Sequence, residues 1–150
     1  MSETEGGGTY RIIDDESVSD VGFEAWSQTL EGLFRASWDA TLSLMIGDVN
    51  AVRREDRRRV SCDDHDLEML LFDFLGELIY LKDAHRSLYR IESLAVEPVD
   101  SDYRLTATVA GEEIDPTRHD LGVDIKAVTL DQLTLRRDGD RYLARVSLDA

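Results

Sequence analysis

Lysine is nearly missing from this chain: of 17 basic residues, only Lys82 and Lys126 are lysine and the other 15 are arginine. Cysteine occurs once, at Cys62, which excludes an internal disulfide and a paired-cysteine zinc site. With no histidine pattern beside it, that thiol reads as a small buried residue rather than a nucleophile. The 3 histidines, His65, His85 and His119, lie far apart and lack ligand spacing. No G-x-S-x-G, H-E-x-x-H or phosphate-binding glycine loop is present, and the glycines at 6–8 open no strand-to-helix pattern. These absences remove the common motif-bearing hydrolases and nucleotide-binding enzymes. No apolar run approaches the roughly 20 residues that span a bilayer. The acidic, glycine-rich start lacks the basic and apolar regions of a signal peptide. The chain is therefore expected in the cytoplasm, with 1–9 as a disordered tail and 10–150 as one domain large enough for a real core.

What is abundant is negative charge. There are 32 acidic residues against 17 basic ones, a formal net charge of −15, and the 20 aspartates outnumber the 12 glutamates. An acidic surface almost free of lysine suits a cytoplasm rich in salt, where the Debye length falls to a few ångströms and self-repulsion is screened. It argues against a general nucleic-acid platform, so any RNA contact is local or made through a partner.

Periodicity supplies the elements. Thr9–Asp15 and Asp20–Trp26 read as strands. Leu30, Leu33, Phe34, Trp38, Thr41, Leu42 and Met45 form one apolar helical stripe, capped by Ser27 or Thr29 and ended by Gly47-Asp48. Leu67, Leu70, Leu71, Phe74, Leu75, Leu78 and Ile79 form a second, capped by Asp63 or Asp64 and ending near Lys82–His85. Leu88–Val96 and Tyr103–Val109 alternate as a hairpin. Ala127–Arg137 and Arg141–Leu148 form another around Asp138-Gly139. The fold class is α+β, a two-layer sandwich in which two helices cover one face of a largely antiparallel or mixed sheet.

Four features carry chemistry. Arg53, Arg54, Arg57, Arg58 and Arg59 read either as a solvated turn entering a strand, offset by nearby acids, or as a local contact for RNA or a partner. His119 follows Asp115-Pro116-Thr117-Arg118 in a long loop whose entry Asp115-Pro116 constrains. The last strand keeps its alternation to Asp149-Ala150, so a side-chain carboxylate and the α-carboxylate sit together. Asp20, at the start of another strand, adds a third oxygen donor. That set suits Ca²⁺ or Mg²⁺ rather than a soft metal, or is simply an acidic C-terminus. Lys126 is a salt-bridged strand residue or a cation for a carboxylate cluster or a phosphate.

Four stretches, in order, resemble the archease family over Thr9–Ala150: "SDVGFEAWSQTLEGLF", "DDHDLEMLLFDFLGELIYLKDA", "GEEIDPTRHDLGVDIKAVT" and the ending "RVSLDA". The resemblance implies an accessory factor, not an enzyme, that activates an RtcB-type tRNA-splicing RNA ligase by promoting its guanylylation and multiple turnover. The ligase is the partner; tRNA is met only indirectly, and neither DNA nor membrane is involved. By position the resemblance implies a metal site of Asp20, Asp149 and Ala150, with calcium as the cation and Mg²⁺ or Mn²⁺ as substitutes. It implies Lys126, Glu16, His119 and Asp115 as contacts for the partner or its nucleotide step. On this reading the loop delivers Lys126 to the carboxylate end of the sheet.

Two departures stand out. Where the family reads acid-His-Thr-Ala-Asp, this chain has Glu16-Ser17-Val18-Ser19-Asp20. Where it reads Val-Thr-Tyr-His, this chain has Val128-Thr129-Leu130-Asp131. Both family histidines are gone, which leaves open a divergent archease-fold module with another partner. A small metal-dependent hydrolase is the third reading, but no candidate base or nucleophile accompanies the carboxylates. The composition itself makes a prediction: circular dichroism will show unfolding in dilute buffer and recovery in molar potassium chloride. Full stability at low salt contradicts a halophilic protein.

Overall fold

A computed structural model describes residues 8–14 and 21–150. In chain order its elements are β1 (Thr9–Asp14), β2 (Val21–Ser27), α1 (Leu30–Met45), a 3₁₀ turn (Val49–Ala51), β3 (Asp56–Asp64), α2 (Leu67–His85), β4 (Ser87–Val99), β5 (Asp102–Glu113), β6 (Ala127–Asp138) and β7 (Arg141–Asp149). The α+β class stands. The strands, however, form two sheets rather than one, in the orders β1-β2-β7-β6 and β3-β5-β4. Every pairing among the described residues is antiparallel. Alternation reveals which face a strand buries but not its neighbour, so the division was hidden. The long segment between β5 and β6 carries the chain from one sheet to the other.

Both helices touch strands of both sheets: α1 packs on β1, β2, β4 and β7, and α2 on β3, β4, β5 and β6. The expected stripes are the buried faces. Leu33, Phe34, Trp38 and Leu42 of α1 meet Leu70, Leu71, Phe74, Leu75 and Leu78 of α2 in one core. Trp38 and Phe74 lie 4.7 Å apart, ring centre to ring centre. The Trp38 indole donates to the Tyr89 carbonyl at 3.0 Å, so the large ring is buried without an orphan polar atom.

Local chemistry explains the ends. Thr29 caps α1, its hydroxyl accepting from the Gly32 N–H at 3.0 Å. Helix α2 is capped by Asp66, which accepts from the Glu68 N–H at 2.9 Å. The expected caps, Asp63 and Asp64, instead complete β3. Strand β4 runs through Pro98 to Val99, three residues beyond its expected end; it is an edge strand, where a missing N–H costs no ladder bond. Gly139, at φ 65°, makes the β6–β7 turn. Thr9, the last residue of the expected tail, is buried and opens β1, and residues 1–7 lie outside the described residues. Arg57, Arg58 and Arg59 stand on β3 itself, not in a turn before it.

Candidate functional site

The chain from Ile114 to Lys126 is a strap, fixed at four places in succession. The first is Glu112, near the end of β5 and 7% exposed. Its carboxylate accepts from the Arg53 N–H at 2.7 Å, from His119 Nε2 at 3.0 Å and from the Arg118 guanidinium. Burial alone would raise its pKa. The hydrogen bonds from Arg118, Arg53 and His119 outweigh that and hold it down to about 2. His119 accepts the Asp115 N–H at Nδ1, 2.9 Å away, which leaves Nε2 as the donor to Glu112.

His119 is thus a positioning residue. Its side chain is fully enclosed and both ring nitrogens are engaged within the chain, where the expectation was a partner contact. Asp115 is half-buried and spends one carboxylate oxygen on the N–H and hydroxyl of Thr117, at 3.0 and 2.7 Å. These bonds hold its carboxyl below the usual range. Asp115 shapes the turn that begins the strap.

The second fixing point is the end of α1, whose last carbonyls have no partner within the helix. Gly122 donates to Met45 O at 2.8 Å and Val123 to Leu44 O at 2.7 Å, while the Gly47 N–H reaches Asp120 O at 2.9 Å. A Cβ on Gly122 would lie 2.4 Å from Leu44 O, so only glycine permits this approach.

The third is Lys82, at the end of α2 and 9% exposed. Its ammonium donates to Asp124 at 2.5 Å and to Ile125 O at 2.6 Å, and lies 2.8 Å from Asp83. Burial pulls its pKa down, but the hydrogen bonds to Asp124 and Asp83 more than reverse this, and the net shift is upward. Asp124 is held low by the Lys82 hydrogen bond and charge, with a smaller pull from Lys126. Sequence reasoning missed Lys82 and saw only a helix end. The available signal was its chemistry, one of two lysines in a chain that otherwise uses arginine.

The fourth joins the two ends. The Lys126 N–H donates to Asp149 O at 2.7 Å, and Ala127 pairs with Asp149 across β6 and β7. Lys126 and Asp149, distant in sequence, are therefore neighbours, and both are exposed. Ala150 is half-buried against the core. On the other side of β7, Leu148 pairs with Val21. Glu16 and Asp20 lie outside the described residues, and among the described residues no three His, Cys, Asp or Glu side chains form a metal group.

The remaining candidates resolve simply. Burial, then the carboxylates of Glu77, Asp73 and Asp63, push the Cys62 thiol up to about 12, away from the thiolate form that a nucleophile needs. In the arginine group, Arg57 holds Glu92 at 2.7 and 3.2 Å, and Arg58 reaches the Tyr89 hydroxyl at 2.9 Å and Asp56 at 3.3 Å. Glu92 and Asp56 thus offset Arg57 and Arg58, while Arg59 has no carboxylate in ion-pair range among the described residues. No helix among the described residues is long and apolar enough to cross a membrane.

A two-helix α+β domain with a strap between its sheets and a lysine beside its terminal strand defines a class of small proteins. The chain belongs to the archease family: the model of the Archease protein family (MTH1598/TM1083) matches residues 10–150. It is 30% identical over 135 residues to protein archease of Pyrococcus abyssi, covering 89% of this chain and 94% of that one. It is 34% identical over 137 residues to protein archease of Methanosarcina acetivorans, covering 89% and 92%. The solution structure of Methanobacterium thermoautotrophicum protein 1598 superposes with a TM-score of 0.81 at 29% identity, over 94% of this chain and 98% of that one. The crystal structure of "an archease, possible chaperone" from Thermotoga maritima shares the fold, with a TM-score of 0.59 at 19% identity over 88% and 91%.

The Glu112 cluster predicts acid behaviour. Because folding lowers this pKa from 4.5 to about 2, its stabilisation is complete above pH 4.5 and is lost as pH falls through that window. Glu112→Gln will cost about 3 kcal/mol at neutral pH, since Arg118 and His119 lose a buried anion. It will also flatten the decline in stability between pH 4.5 and 2, as read by urea titration at each pH. An unchanged slope contradicts the assignment.

Proposed function

We propose that this protein is a non-enzymatic cytoplasmic accessory factor that activates an RtcB-type tRNA-splicing RNA ligase, promoting its guanylylation and multiple turnover. The observation that carries this reading is the Lys126–Asp149 juxtaposition at the strand end, made by a backbone bond of 2.7 Å. Family membership supports it. An exposed ammonium next to carboxylates is suited to phosphate oxygens of a nucleotide held by a partner. A net charge of −15 keeps free RNA away from the rest of the surface, so tRNA is met only through the ligase.

The metal belongs to the same reading. Asp20 immediately precedes Val21, and Asp149 immediately follows Leu148, the register partner of Val21. Asp20, Asp149 and the Ala150 carboxylate would hold the cation. Their donors are all hard oxygens, which suit Ca²⁺, with Mg²⁺ or Mn²⁺ as alternatives. When bound, the ion supplies a fixed divalent charge beside Lys126. The chain's own part is positional: Glu112, His119 and Lys82 hold the strap so that Lys126 stays at the strand end.

A second reading, a divergent interaction module with another partner, is favoured by one feature. Where the family reads Tyr-His after Val-Thr, this chain bulges between Thr129 and Thr134 and leaves Leu130 54% exposed. One assay separates the two. The RtcB-type ligase from the same source is incubated with labelled GTP and Mn²⁺ in molar potassium chloride, with and without this protein. Covalent guanylate on the ligase will rise. Asp149→Ala or Lys126→Ala will reduce the stimulation about tenfold or more. No stimulation by folded protein rejects the activator and favours the module.

A further inference from the structure

Among the described residues, strand β3 is an edge strand, paired only with β5 and without a register shift from Asp56 to Asp64. Among the described residues, no backbone hydrogen bond outside the sheet ladder reaches β3. Two open clefts, about 340 and 360 Å³, run between this edge and α2, past Cys62 and Glu77 and then past Arg58, Arg59 and Tyr80. The helix therefore covers one face of the strand and leaves its side free.

Natural edges are blunted by proline, bulges or charge that repels a second strand. Strand β3 has no proline and no bulge, and its charge is divided along its length. Arg57, Arg58 and Arg59 occupy the first half; Asp63 and Asp64 occupy the end. Such a strand is complementary to itself when turned around. In an antiparallel pair centred on Ser61, Arg58 faces Asp64, Arg59 faces Asp63, Val60 faces Cys62, and Ser61 faces its own copy. Directly opposed residues share a face, and opposite charges there stabilise the pair. Centring on Val60 instead sets Asp56 against Asp64, and parallel pairing sets arginine against arginine. Charge thus selects one register. Arg59 is exposed and, unlike Arg57 and Arg58, has no carboxylate in ion-pair range among the described residues.

We propose that two copies of this chain pair antiparallel through β3 about a two-fold axis at Ser61, joining their three-stranded sheets into one continuous sheet. The contact is isologous, so it closes as a dimer and does not propagate. Strand β3 and Asp149 belong to different sheets, so this interface is distinct from the proposed activator site and does not depend on it.

Light scattering after size exclusion in molar potassium chloride tests the pairing. The expected mass is twice the 17.0 kDa of one chain. Arg59→Asp and Asp63→Arg each replace attraction by repulsion and will weaken dimerisation about tenfold or more. An equimolar mixture of these two variants will restore the dimer, because each new charge then faces its opposite. Since Asp63 also binds Arg104 at 3.0 Å, a second probe leaves the charges intact: Ser61→Cys, in a Cys62→Ser background, will form a covalent dimer on mild oxidation. A single-chain mass for folded wild type overturns the proposal. So does a dimer that neither charge variant weakens and that Ser61→Cys fails to cross-link.

Discussion

The buried ammonium of Lys82 is the interaction on which the site depends. It ties the end of α2 to the strap immediately before Lys126, through Asp124 and the Ile125 carbonyl. A charge this buried is tolerated only when its donors are satisfied, and here three oxygens surround one nitrogen. That geometry suits lysine's compact head. Arginine's planar fork, used almost everywhere else in the chain, does not match it. The rarity of lysine in this sequence and its use at Lys82 and Lys126 are parts of one arrangement: one lysine is buried to hold the strap, the other is carried to the surface by it.

The other fixing points follow the same logic of satisfied polar groups. The strap caps the open carbonyls of α1, and Glu112 gathers the Arg53 amide, Arg118 and His119. A long loop that would otherwise be mobile thus becomes rigid at its start, middle and end. Its last amide is then free to join the β6–β7 ladder at Asp149. The two sheets supply the frame: each helix bridges both, so the strap spans a fixed gap.

Much of this was legible in the sequence. Both helical stripes match the buried faces because the 3.6-residue period reports packing directly, as in Phe34, Trp38 and Phe74. The hairpin turn at Asp138-Gly139 was legible from its residues, and the strap from its proline and its resemblance to the family. What was not legible depends on tertiary partners. Nothing local marks β5 and β6 as belonging to different sheets. His119 was expected at a partner contact because only the fold brings Glu112 and Arg118 around it. Asp66 lost its place as the cap to Asp63 and Asp64, since three nearby aspartates are equivalent until the strand boundary is known.

The central claim is that Lys82 holds Lys126 at the strand end, and amide hydrogen exchange reads this at a single site. In folded wild type the Lys126 amide will exchange slowly, along with its β6–β7 neighbours. In Lys82→Met it will exchange roughly thirtyfold faster, corresponding to about 2 kcal/mol for lost charge-assisted hydrogen bonds, while the β2–β7 amides keep their protection. A Lys126 amide that exchanges at the rate of an open loop in wild type, or that is unaffected by Lys82→Met, contradicts the account.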